Sequence, residues 1–392
     1  MEKKINLKYF TLFSSKKNIE IQSIAYSFNL FLPTLILIIS SFFKNYNLTA
    51  ELGILIGINI IFTQIFSSNA RSIIIAKKLI SSIFAYIIFR VIISITIILV
   101  NIIFFNYLEF TNNLILFLIS IMIILQWLIE LILTSFELRK KIHLFYYYNF
   151  FSFTFVVLIF IDFIFFRNLE YIIFIYNLLL FCFFCFSFLR LKKNKIDIKR
   201  IFLLSINSKA FYSSFSVSVA NLIWRILIIY FCGKILAGIY FASFAIGSLP
   251  GTLFNNTFGP TMLKNNIKLK SNFKFLFFFF ILLLIILFSI SLINLDKIFI
   301  DFSYTQIFGT FISLLGSIFM IKGLYFRQFL IQRTSQKSKV FKVDILYSFF
   351  VILIVPTLFL LGGEKLIIIS FLISSIISYF TYKHIKSKTL KN

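Results

Sequence analysis

Few side chains in this sequence can do chemistry, and among the ionisable ones inside long apolar runs are Arg90, Glu130, Asp162, Arg225, Lys322 and Asp344. A charge in such a run costs about 3 kcal/mol or more unless it meets water, a partner or a ligand. Lys322 and Glu130 stand near the ends of their runs and reach an aqueous surface by snorkelling. Asp162, five residues before Arg167, reads as a structural group or as an ion-coupling carboxylate. Asp344 opens its run and belongs to an interface. Arg90 lies about 16 Å along its run by helical rise, so it either pairs with Glu130 or faces a ligand. Arg225 lies deep in its run with no acidic neighbour. A guanidinium holds two phosphate or carboxylate oxygens at once, so its chemistry is anion recognition. Arg225 and Arg90, with Asn221, Trp224 and Lys322, form the candidate substrate-binding set. Gly247, Pro250 and Gly251 loosen a neighbouring run and read as a hinge, since proline removes a backbone donor.

Other chemistry is scarce. Cys182 and Cys185 have C-x-x-C spacing but sit in an apolar run, and the two histidines, His143 and His384, lie near loops. Four ligands for a structural zinc are not in sight, so neither a metal nor a cofactor is expected. No phosphate-binding glycine loop occurs, and so few acids and histidines offer little acid–base machinery. An enzyme is therefore not expected. The net charge of +26 does not point to nucleic acid, because the basic residues fall in short segments instead of on one soluble face. No cleavable leader is expected either: the basic stretch from Lys3 to Lys17 is long, and no small-residue site follows the first apolar run.

What must position these residues is a set of membrane-spanning helices. Hydrophobic types make up 60% of the chain and charged types 13%, too little charge to cover a soluble domain of this size. Apolar runs of membrane-crossing length predict about twelve spans: 22–43, 50–66, 79–105, 114–136, 144–166 and 171–189, then 210–231, 236–258, 273–294, 306–326, 343–361 and 366–382. Open sheet edges are excluded in lipid, and a barrel would alternate in polarity. Of the 39 Lys and Arg, 31 fall on one side of this layout and five on the other. That asymmetry predicts that the basic side, with both termini, is cytoplasmic. The expected architecture is all-α. A cytoplasmic segment 1–21 precedes a six-helix half 22–189, then a basic linker 190–209, a second six-helix half 210–382 and a tail 383–392. The two halves would enclose a central cavity, a common transporter plan.

The stretch Asn221-Leu-Ile-Trp224-Arg225, Gly233 and Ala237-Gly238-Ile-Tyr240-Phe-Ala242 resembles the seventh and eighth helices of polysaccharide-biosynthesis flippases. These are O-antigen flippase-like members of the multidrug/oligosaccharidyl-lipid/polysaccharide (MOP) exporter superfamily. Glu51-Leu-Gly53 and Asn69-Ala-Arg71 are similar to that family's second helix and its cytoplasmic end. One departure is Trp224, which stands where an acidic residue commonly precedes the arginine. The resemblance implies a MATE-like fold in a bacterial inner membrane. It also implies outward movement of an undecaprenyl-pyrophosphate-linked oligosaccharide, such as a lipopolysaccharide O-antigen unit. The partners it implies are this lipid-linked substrate, the bilayer, a polysaccharide polymerase and a chain-length regulator. Another exporter of the same fold, or a membrane polymerase or ligase, is the alternative.

Overall fold

The computed structural model describes residues 2–67, 71, 74, 83–108, 110–166, 168–191, 209–253, 304–333 and 337–391. The predicted span 273–294, residues 192–208 of the predicted linker and the outward loop up to residue 303 lie outside the described residues, as does the start of the third predicted span.

All regular structure among the described residues is helical. The helices are α1 (Glu2–Phe42), α2 (Tyr46–Ser67), α3 (Ile83–Tyr107), α4 (Asn113–Leu138) and α5 (Ile142–Ile161), the last continuing into a wide turn at Asp162–Phe166. Then come α6 (Leu169–Leu189), α7 (Lys209–Leu253), α8 (Tyr304–Arg333), α9 (Lys337–Gly362), a tight turn at Glu364–Ile369 and α10 (Ser370–Lys391). Ten stretches among the described residues are long and apolar enough to cross a membrane. Helix is the form this composition takes in lipid because it satisfies every backbone N–H and C=O within the segment.

One of the ten, Phe211–Gly251, has 41 residues and would be roughly 60 Å long if straight, twice a bilayer core. It is not straight. Gly233 has φ 73° and ψ 169°, a backbone conformation that side chains with a Cβ avoid. The rings of Trp224 and Phe244, twenty residues apart, have centroids 5.0 Å apart, where a continuous helix would separate them by roughly 30 Å. Helix α7 is therefore a hairpin whose limbs, residues 209–232 and 234–253, correspond to the seventh and eighth predicted spans.

Two turns are closed by lysine in the left-handed region, Lys44 (φ 59°) and Lys140 (φ 56°). In each, the next residue reaches five residues back, Asn45 N–H to the Ser40 carbonyl and Lys141 N–H to the Phe136 carbonyl, both 3.0 Å. The left-handed conformation costs about 1–2 kcal/mol. A cation at a helix C-terminus returns part of that through the macrodipole.

Helices α2 and α4 are central, burying most of their lengths. Helices α3, α5 and α6 present large apolar residues outward, among them Ile95, Ile103, Phe150, Phe153 and Phe174. A water-facing surface does not carry so continuous an apolar face; lipid solvates it at no cost.

Each half is tied at the inner end, where the predicted cytoplasmic side lies. In the first, Tyr26 Oη donates to Glu137 Oε2 at 2.9 Å, Arg71 donates to the same oxygen at 3.3 Å, and the Arg71 guanidinium lies 3.5 Å above the Tyr26 ring. In the second, Arg327 donates to both oxygens of the buried Asp344, 3.1 and 3.0 Å, and Ser213 and Tyr382 donate to the same carboxylate. Asp344 is thus the centre of a knot joining α7, α8, α9 and α10, and not only a boundary residue. Contacts between the halves run chiefly along α2 and α7.

Candidate functional site

The seam between α2 and α7 is where the predicted residues Asn221, Trp224 and Arg225 sit. Helix α2 runs antiparallel to the first limb of α7. Gly57 lies against Leu222 and the Arg225 side chain, and Ser218 Oγ donates to Gln64 Oε1 at 3.0 Å. Arg225 is half-buried, about 12 Å below the Gly233 bend by helical rise. Its Nη1 donates to the Gly53 carbonyl, and its guanidinium lies 5.8 Å from the Phe241 ring centroid. No carboxylate lies within ion-pair distance of it among the described residues. A carbonyl supplies one acceptor and no counter-charge, so the seam holds a cation able to take an anion. Trp224 is buried against Phe244 with an indole N–H that has no partner among the described residues. Asn221 is half-buried one turn before Arg225.

Arg90 resolves differently. It is fully buried and donates to Glu130 Oε2 at 2.9 Å, to Ser67 Oγ at 3.2 Å and to the Trp127 carbonyl. Its guanidinium also lies 4.8 Å from the Trp127 ring centroid. All of these partners belong to α2 and α4. Arg90 therefore sits inside the first half and not between the halves, and of the two sequence alternatives the structure shows the pair with Glu130.

The other predicted residues are dispersed. Asp162 is buried, and its Oδ1 accepts the Asn168 N–H at 2.8 Å, which orders the turn into α6; Arg167 lies outside the described residues. Lys322 is exposed on α8 with its ammonium 6.0 Å from the Tyr379 ring centroid, away from Arg225. Gly247, Pro250 and Gly251 remain helical, and the departure from helical dihedrals in α7 is at Gly233. A Cβ at Gly247 would strike Ser313, and one at Gly251 would lie 2.7 Å from Met320 Sδ. The segment is thus packed tightly onto α8.

Glu51 and Lys234 escaped the sequence reading as a pair. Glu51 is buried one turn into α2. Its Oε1 accepts Thr111 N–H (2.9 Å) and Oγ1 (3.0 Å), and its Oε2 accepts Asn112 Nδ2 (3.1 Å) and N–H (3.4 Å). Lys234 Nζ, just past the bend in α7, stands 3.8 Å from Oε1. The available signal was that Glu51 is an acid at the start of an apolar run while Lys234 is one of five basic residues on the sparsely charged side.

No protein-family model matches the sequence, and no curated protein matches it significantly. Solved structures do match over nearly the whole chain. An inward-facing multidrug resistance MATE family transporter of the MOP superfamily has a TM-score of 0.59 at 12% identity, covering 95% of this chain and 99% of that one. An outward-facing conformation of such a transporter gives 0.54 at 13%, covering 96% and 97%. A MOP superfamily transporter from Pyrococcus furiosus, whose description states that a reversed polarity of its binding pocket suggests a different function, gives 0.54 at 14%, covering 96% of each. The chain has the fold of these transporters.

Proposed function

We propose that this protein is an alternating-access flippase. Its passenger is an undecaprenyl-pyrophosphate-linked oligosaccharide, moved from the cytoplasmic to the outer leaflet of a bacterial inner membrane, with both termini of the chain cytoplasmic. The observation that carries the reading is Arg225: a guanidinium at the seam between the halves whose recorded acceptor is a carbonyl. A diphosphate headgroup brings the missing counter-charge, and the planar fork of arginine suits two of its oxygens. The lipid tail stays in the bilayer while the headgroup passes between the halves. That this fold occurs in inward- and outward-facing forms supports alternating access. In the Pyrococcus relative, pocket polarity is the property from which a different function was argued, and here polarity is the discriminating property too. A cation exporter would place an available carboxylate at the seam; the carboxylate found there, Glu51, is already met by four donors of its own half and by Lys234. A polymerase and a chain-length regulator would then act on the delivered product.

The test is deletion of the gene, followed by assay of lipid-linked oligosaccharide on each leaflet. The expected result is accumulation in the inner leaflet and its disappearance from the outer one. Unchanged distribution removes the flippase reading.

A further inference from the structure

We propose that the start of the second limb of α7, residues 234–241, is the outer gate of the translocation path, latched by Lys234 on Glu51 and uncovering Arg225 when it swings away. The inference rests on the alternating-access reading above but not on the identity of the passenger.

Four contacts carry it, each joining the two halves at the outer end. The Lys234 ammonium pairs with Glu51 at 3.8 Å. Gly238 lies so close to the Tyr46 backbone that a Cβ would collide with it. The Phe241 ring occupies the space a Cβ at Gly53 would need. Gln306 Nε2, at the start of α8, donates to Ser41 Oγ at the end of α1, 3.0 Å away. Further inward the second limb leans onto α8, with Gly247 against Ser313 and Gly251 against Met320. It thus meets α2 at the outer end and packs on its own half below.

The latch is asymmetric in a way that suits release. Glu51 is 1% exposed and keeps four donors from Thr111 and Asn112 when Lys234 departs. Lys234, with 40% of its side chain exposed, regains water as it leaves. Neither half is left with a stranded buried charge, the condition that makes a broken ion pair expensive. Phe241 links latch to site, because its ring covers Gly53 and lies 5.8 Å from the Arg225 guanidinium. Withdrawal of the limb therefore opens Arg225 toward the outer side.

The experiment reads accessibility. In a chain with Cys182, Cys185 and Cys232 replaced by serine, Asn221→Cys is placed one turn inward of Arg225. A membrane-impermeant maleimide is then added to intact cells or to right-side-out vesicles. Lys234→Glu, which sets two carboxylates against each other, should raise the labelling rate at least about threefold by shifting the population toward the open form. Gly238→Ala should do the same as a wedge against Tyr46, and Lys234→Arg should keep the parent rate. Asn47→Cys, at the outer end of α2, reports insertion and reagent access. If it labels normally while Lys234→Glu leaves Asn221→Cys at the parent rate, the gate assignment is overturned. Should Gly238→Ala fail to insert, Lys234→Glu alone decides. A raised rate together with an unchanged leaflet distribution on gene deletion would keep the gate and remove the flippase reading.

Discussion

Arg90 and Arg225 are the same side chain placed at depth in two regions, and the regions treat them oppositely. Inside the first half, Arg90 receives a carboxylate, a hydroxyl, a carbonyl and an indole face, all from helices that belong to one packed unit. At the seam, Arg225 receives a carbonyl and the edge of a ring environment shared with the opposite limb. A charge with a permanent partner can be buried within a unit that never opens. A charge where two units meet must tolerate separation, and a mobile ligand can serve as its intermittent partner. The difference teaches that burial alone does not mark a functional cation; under the proposed function, location relative to the boundary between the halves does.

The comparison breaks most visibly at the seam. Arg225→Ala should lower flipping by roughly a hundredfold, since a lost charged hydrogen bond is worth on the order of 2–3 kcal/mol, while the amount of inserted protein stays near normal. Arg225→Lys should return part of the activity, because charge comes back without the fork geometry. Assays of leaflet distribution beside membrane abundance separate the two effects; normal flipping by Arg225→Ala would reduce it to an anchor.

Inside the first half the effect should move from transport to folding. Arg90→Ala leaves Glu130 beside buried groups without its counter-charge and should cost on the order of 3 kcal/mol, read as a lower melting temperature in detergent and lower abundance. Adding Glu130→Gln should recover part of the loss. If Arg90→Ala instead folds normally and loses only transport, the two arginines share a role and the contrast fails.

Smaller effects test the packed segment and the turn. Pro250→Ala with Gly251→Ala should lower transport roughly threefold at near-normal abundance, through loss of bending; the Met320 side chain gives way to the new Cβ. Unchanged transport leaves the segment as packing. Asp162→Asn should change stability by less than about 1 kcal/mol, because the amide oxygen still accepts the Asn168 N–H. A larger loss, or a loss of transport alone, would give Asp162 an ion-coupling role.

Much of the architecture was legible beforehand. Run lengths predict the spans, and the break between runs 210–231 and 236–258 falls where Gly233 turns the chain. The pairing of Arg90 with Glu130 was also available as an alternative, since the two stand in adjacent runs. The Glu51–Lys234 pair was not, because 183 positions separate the two residues and nothing in the sequence matches one with the other. Nor was the tight seat of Gly247 and Gly251 on α8, which depends on what faces them.

The sequence alone determined that the chain is helical and that it belongs in a membrane, and its loop charge carries the expectation of which side is cytoplasmic. Those properties come from local terms: transfer of each run from water, internal satisfaction of the backbone, and loop charge. Only the tertiary structure decided which guanidinium receives a carboxylate and which stands at the boundary between halves. That depends on which helix faces which, and a helix surrounded by apolar residues on every side carries no pattern in its own sequence that names the neighbour.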